Sequence, residues 1–181
     1  MAGNTNAILL AGFGGQGILF AAKQLAKSAM DTGKNVTWLP SYGPEMRGGT
    51  CNCGVVISDD EIGSPIVNHP DILVAFNIQS YDKFEPQINA GGILFADSFL
   101  INKRSERTDI KACYIPATEL ASNEGLTGMA NVIMLGYILK VTGIFDYDEF
   151  LNHMTAGIPA TKAALIEKNK KALELGYNYA E

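Results

Sequence analysis

Clustered positive charge is missing from this chain: no run of lysines and arginines occurs, and the formal net charge is -5. A duplex or RNA partner needs concentrated Lys and Arg, so nucleic-acid binding is not expected. Long apolar runs are missing too. The stretch from Val132 to Leu139 is too short to span a bilayer, and Lys140 follows it, so no membrane partner is expected. The first ten residues carry no positive charge, unlike the start of a secretory leader. Cysteine is scarce: Cys51, Cys53 and Cys113 are an odd number, which fits a reducing cytoplasm better than a disulfide framework. No Gly-x-x-x-x-Gly-Lys-Ser/Thr stretch occurs, which excludes a P-loop ATPase, and no fixed-period repeat is present. What remains is ordinary: 181 residues, 47% hydrophobic and 18% charged, suited to one domain, residues 1–181, with a real core.

Local patterns give the fold class. Ala7 to Ala11 is a short apolar run that enters Gly12-Phe13-Gly14-Gly15-Gln16-Gly17. From Gln16 to Met30, apolar residues at Ile18, Ala21, Ala22, Leu25, Ala26 and Ala29 have the spacing of a helix with one buried face, ended by Gly33. Asn35 to Leu39 reads as a second strand, and this β-turn-α-turn-β unit predicts a right-handed crossover to a parallel neighbour. Further strands are expected at Thr50–Ser58, Asp71–Phe76, Gly91–Ala96 and Cys113–Ile115, with a short antiparallel return at Ile66-Val67. Helices are expected at Gln79–Phe84, Ala117–Ser122, Leu126–Val141, Tyr147–Thr155 behind an Asp146 N-cap, and Pro159 to about Leu175. The class is α/β: one Rossmann-like domain, its sheet mostly parallel with an antiparallel hairpin, and a helical C-terminal part.

Two segments carry chemistry. Gly12, Gly14 and Gly17 fit G-x-G-x-x-G between a strand and a helix, with Gly15 and Gln16 inside the turn. Small residues there let backbone N–H groups and the helix N-terminus approach a phosphate; a tight turn that only packs helix on strand is the other reading. An NAD site would also need an acid at the end of the second strand. That end reads Thr37-Trp38-Leu39-Pro40-Ser41, so hydride chemistry is not favoured. The second segment is Ser41 to Thr50, rich in glycine and poor in apolar residues. It reads as a shaped loop that displays Glu45 and Arg47 from a frame of Tyr42, Gly43, Pro44, Gly48, Gly49 and Thr50. Arg47 offers a planar fork to a phosphate or carboxylate, and Glu45 orients it or meets a partner's basic group. A surface Glu–Arg pair of little consequence is the alternative.

Together, Gly-Phe-Gly-Gly-Gln-Gly at 12–17 and Tyr-Gly-Pro-Glu-Met-Arg-Gly-Gly-Thr-Cys-Asn-Cys at 42–53 resemble the gamma subunit of the 2-oxoacid:ferredoxin oxidoreductases. The resemblance spans nearly the whole chain, including Asn131 and the Lys-Ala-Leu-Glu-Leu-Gly-Tyr ending at 171–177. Met-Arg-Gly-Gly-Thr is more similar to the 2-oxoglutarate and branched-chain enzymes than to the pyruvate enzymes. The resemblance implies a subunit that packs on thiamine diphosphate subunits and shapes the coenzyme A side of the site. The alpha, beta and delta subunits would hold thiamine diphosphate and [4Fe–4S] clusters, and ferredoxin would be reached indirectly. This chain lacks a Gly-Asp-Gly…Asn thiamine signature, and its three cysteines cannot ligate a [4Fe–4S] cluster. Gly12, Gly14, Gly15, Gln16, Gly17, Tyr42, Glu45, Arg47, Gly48, Gly49 and Thr50 are the expected coenzyme A contacts; no catalytic or metal residue is expected. A freestanding nucleotide or acyl-CoA binding module is the rival reading.

Other polar residues have structural readings. Cys51 and Cys53 share one strand face as core thiols, and Cys113 is core. His69 lies in a loop and His153 on a helix. Asp97, after a strand, either caps the next turn or touches ligand. Asn131 either caps a helix or meets a neighbouring subunit. Met129, Met134 and Leu135 read as core or interface.

Overall fold

A computed structural model describes residues 5–43 and 50–180. In chain order its elements are β1 (Thr5–Phe13), α1 (Ile18–Asp31), β2 (Asn35–Tyr42), β3 (Thr50–Ser58), β4 (Ile72–Ala75), α2 (Ile78–Phe84), β5 (Ile93–Asp97), β6 (Lys111–Ile115), α3 (Ala117–Asn123), α4 (Ala130–Thr142), α5 (Tyr147–Thr155) and α6 (Ala163–Tyr177). The strands form one sheet in the order β2-β3-β1-β4-β5-β6. β4, β5 and β6 continue in parallel from β1, while β3 is antiparallel to both of its neighbours.

The expected class holds, but the first crossover does not. β2 runs in the same direction as β1, yet β3 lies between them. Composition explains the swap. β3 is Thr-Cys-Asn-Cys-Gly-Val-Val-Ile-Ser, with Cys53 and Val55 fully buried, and it needs cover on both faces. β2 contains Pro40 and is largely exposed, and a proline is tolerated only at a sheet edge. The hairpin therefore turns its apolar strand inward and its proline strand outward. Ile66-Val67 forms no return strand; Val67 instead packs against Gly54, where a Cβ would lie 3.1 Å from its Cγ2.

The core has two layers. Ile8, Leu10, Cys53, Val55, Ile72, Val74, Phe95 and Ile115 face α1 and α4, whereas Leu9, Leu73, Leu94, Ala96, Tyr81 and Ile101 pack on the other side. α4 starts at Ala130, four residues later than its apolar pattern begins, because Leu126 and Met129 close separate turns before it. A 3-10 turn, Ala160–Lys162, separates Pro159 from α6, so the last helix starts later than its proline suggests. α6 lies backbone-to-backbone against α4. A Cβ at Gly176 would sit 1.7 Å from the Ile133 carbonyl oxygen, and one at Gly136 2.0 Å from that of Leu173. Asp146 caps α5 as its sequence predicts, accepting from the N–H groups of Asp148 and Glu149 at 3.0 and 3.1 Å.

Candidate functional site

Strand register brings the two informative segments together. Phe13, inside the glycine turn, stands opposite Thr50, and Gly12 opposite Cys51. Tyr42 stands opposite Cys51 from the other side. Gly43 then donates to the Thr50 carbonyl at 2.8 Å and closes the base of the second loop. The glycine turn, Tyr42 and Thr50 are therefore neighbours at the carboxyl end of β1. Pro44, Glu45, Met46, Arg47, Gly48 and Gly49 lie outside the described residues.

The turn is built around Gln16. Its Oε1 accepts from the Phe13 N–H at 2.7 Å, and its Nε2 donates to the Phe76 carbonyl at 2.8 Å. Asn77, whose Oδ1 caps α2 through the Ser80 N–H at 2.8 Å, also reaches Gln16 Oε1 at 3.4 Å. Gln16 thus joins the end of β1 to the end of β4, and both ends of its amide are engaged within the chain. A Cβ at Gly12 would lie 2.6 Å from Gln16 Oε1 and 2.8 Å from Ile18 Cδ1, so a larger residue here would push the Gln16 amide from its place. Gly15 (φ 100°) is exposed with open space around it, so its backbone can be approached closely. Gly17 (φ 74°) is the N-cap of α1, and no side chain caps that helix.

Asn131 is the site residue that sequence reasoning left unassigned. It is buried on the first turn of α4, and its Nδ2 donates to the Gly17 carbonyl at 3.2 Å. It neither caps its own helix nor points outward; it ties α4 to the turn before α1. The signal was tertiary, since the fit depends on a Cβ-less Gly17: a Cβ there would lie 2.3 Å from Asn131 Nδ2.

Next to the turn lies a cavity of about 350 Å³, lined by Gly15, Gln16, Phe76, Thr118 and Ser122 among others. No carboxylate lines it. The N-termini of α1 and α4 both open near it, neither has a side-chain cap, and neither carries an acid in its first turn. Unpaired N–H groups at helix starts favour negative charge, so this end of an acidic protein is locally suited to an anion. Asp97 is fully buried and works as a cap. It accepts from the Thr118 hydroxyl and N–H at 2.6 and 3.1 Å and from the Phe99 N–H at 3.2 Å. Burial raises its pKa, and those hydrogen bonds pull the other way.

The remaining candidates are structural. All three cysteines are buried and none forms a disulfide. Burial, reinforced by neighbouring Cys51, pushes the Cys53 thiol up to about 12, the opposite of what a metal-binding or reactive thiolate needs. Among the described residues, no group of His, Cys, Asp and Glu could hold a metal ion. His69 Nδ1 lies 3.3 Å from the Gln87 carbonyl, and His153 Nδ1 3.8 Å from Asp31 Oδ2, both away from the glycine turn. Among the described residues, no helix is long and apolar enough to cross a membrane.

Comparison with known proteins decides the family. Residues 7–179 match the family model described as pyruvate ferredoxin/flavodoxin oxidoreductase. The chain belongs to that family. Family members similar to it include the ketoisovalerate oxidoreductase subunit VorA of Methanothermobacter marburgensis, 41% identical over 175 residues; the match covers 96% of this chain but 36% of that protein. The 2-oxoglutarate synthase subunit KorC of Methanocaldococcus jannaschii is 37% identical over 177 residues, covering 96% and 93%. The chain thus spans about a third of the VorA proteins and nearly all of the KorC protein. Among solved structures, the gamma subunit of a keto/oxoacid ferredoxin oxidoreductase from Geobacter sulfurreducens superposes with TM-score 0.79 at 29% identity, covering 95% of this chain and 96% of that one. A 2-oxoglutarate:ferredoxin oxidoreductase from Magnetococcus marinus, solved with 2-oxoglutarate, coenzyme A and succinyl-CoA, shares the fold. There the TM-score is 0.86 at 19% identity, over 97% of this chain and 32% of that one.

Proposed function

We propose that this chain is a gamma-type module of a multi-subunit 2-oxoacid:ferredoxin oxidoreductase, and that it shapes the coenzyme A side of the site. The complex would convert a 2-oxo acid, coenzyme A and oxidised ferredoxin to acyl-CoA, carbon dioxide and reduced ferredoxin. The observation that carries the reading is the register placing Thr50 opposite Phe13, which joins the two family segments at one end of the sheet.

The residues fit the phosphates of coenzyme A. Gly15 leaves open space, two uncapped helices begin beside one carboxylate-free cavity, and Gln16 holds the turn from within. Glu45 and Arg47 lie between Tyr42 and Thr50 in the chain: Arg47 neutralises a phosphate, and Glu45 orients it. The chain binds and orients; among the described residues no group of His, Cys, Asp and Glu could hold a metal ion. Three buried cysteines cannot ligate a [4Fe–4S] cluster, so in this reading iron–sulfur clusters and thiamine diphosphate would be held by the alpha, beta and delta subunits. Coenzyme A, when bound, supplies the thiol that accepts the acyl group.

Arg47→Ala in the assembled enzyme tests the reading. The expected result is a roughly tenfold or greater rise in KM for coenzyme A, the scale of a lost charge-assisted hydrogen bond, with substrate-dependent decarboxylation retained. If both steps proceed unchanged, the ligand role is wrong.

A further inference from the structure

β2 is a free sheet edge with unusual chemistry. Neither β2 nor β3, eight and nine residues long, carries a charged side chain. Natural edge strands are usually protected by lysines, inward charges or bulges. Here the protection is Pro40. The Gly43 N–H bonds to the Thr50 carbonyl, and this pair continues the β2–β3 register. In an antiparallel ladder, residues with backbone groups facing the partner alternate with residues facing away. Ser41, Leu39 and Thr37 therefore bond inward to β3, whereas Tyr42, Pro40, Trp38 and Val36 direct their backbone groups outward. Pro40 breaks no bond in its own sheet, yet it removes the outward donor from the middle of the edge.

Addition of a strand from a second copy is thus disfavoured, and what the edge offers is side chains. Trp38 is 41% exposed, Leu39 42% and Tyr42 64%. Trp38 and Tyr42 share one face of the strand. Tryptophan and tyrosine are the residue types that anchor protein interfaces.

The family relatives supply a candidate partner for this edge. In VorA the matched region is 36% of a longer chain, and in the Magnetococcus enzyme 32%, so there the module is covalently joined to other protein mass. The KorC relative is matched over 93% of its length, so it has no such covalent tether to that mass. Tyr42, at the end of β2, also precedes in the chain the 44–49 segment assigned above to the coenzyme A side.

We propose that the β2 edge, through Trp38 and Tyr42 on one face and Leu39 on the other, docks the subunit that corresponds to the remainder of the longer relatives. It does so by side-chain packing rather than strand addition. This inference rests on the subunit reading above.

The test is made on the complex purified from the protein's own cells through a tag on this chain. Hydrogen exchange of residues 35–42 is compared between complex and isolated chain, and Trp38→Glu, Tyr42→Glu and Trp38→Phe are assayed for assembly by native mass spectrometry. In the complex, the amides of Val36, Trp38 and Tyr42 should exchange at least about tenfold more slowly. The two glutamate variants should fold with unchanged circular dichroism and lose assembly by roughly tenfold or more, whereas Trp38→Phe should retain it. If a glutamate variant does not fold, the exchange comparison on the natural chain decides. Normal assembly of folded glutamate variants without exchange protection overturns the docking surface and leaves the subunit reading standing. A natural chain that elutes alone removes both. A concentration-dependent dimer of the isolated chain, abolished by Trp38→Glu, assigns the edge to a second copy and also overturns the proposal.

Discussion

Gly17→Ala is the perturbation that bears most on how the glycine turn is held. Gly17 has φ 74°, where a side chain costs about 1–2 kcal/mol. Its new Cβ would lie 2.3 Å from Asn131 Nδ2, 2.8 Å from Cγ and 3.3 Å from Cβ. The contact involves more than the end of a flexible side chain, so Asn131 has to move and its hydrogen bond to the Gly17 carbonyl goes with it, at about 1 kcal/mol. Overpacking of this kind costs about 1–3 kcal/mol. These contributions overlap, and a total near 3 kcal/mol is expected. Asn131→Ala alone should cost about 1 kcal/mol, since the Gly17 carbonyl keeps its bond from the Ala21 N–H. In the double variant the clash is gone, so adding Gly17→Ala should cost only the backbone strain. The cycle should therefore show a coupling of about 1–2 kcal/mol. Guanidinium unfolding, followed by far-UV circular dichroism and by the lone Trp38, supplies the four free energies. Strictly additive costs would refute the packing of Asn131 against the turn.

Two further perturbations follow from the packing and the buried acid. Gly176→Ala would place a Cβ 1.7 Å from a backbone carbonyl oxygen, so α4 and α6 have to separate; a loss of about 3 kcal/mol or more is expected in a chemical melt, and a change under about 0.5 kcal/mol would contradict the backbone contact. Asp97 has a folded pKa raised by burial, so its favourable contribution is full below the ordinary carboxylate range and is lost as pH rises through the raised value. The stability difference between the natural chain and Asp97→Asn should accordingly fall across that rise, and a flat or rising difference would contradict the burial argument.

What the sequence made legible was mostly local. The apolar run before Gly12 and the helical spacing after Gln16 located β1, the turn and α1, and Asp146 located the start of α5. The pairing of β2 was not legible from those patterns, because the β1-α1-β2 unit says nothing about a third strand entering between its strands. Pro40 was the available sign: a proline in β2 argues for an edge, and an edge position leaves room for β3 beside β1. At the site, the motifs supplied the turn and the loop, but their adjacency comes from the Phe13–Thr50 register, which is a tertiary fact. Gln16 is an expected ligand contact from its place in the motif, whereas its internal role, with both ends of its amide bonded to the chain, was not legible there. Asn131 lies 114 positions from Gly17, beyond the reach of any local pattern.

The central claim is that this chain works as one module of a larger oxidoreductase. Tagging it in its own cells, purifying it under mild conditions and identifying by mass spectrometry what accompanies it tests that claim most directly. Recovery in stoichiometric amounts with thiamine diphosphate and iron–sulfur subunits is the predicted result. Recovery alone, or only with further copies of itself, would contradict it.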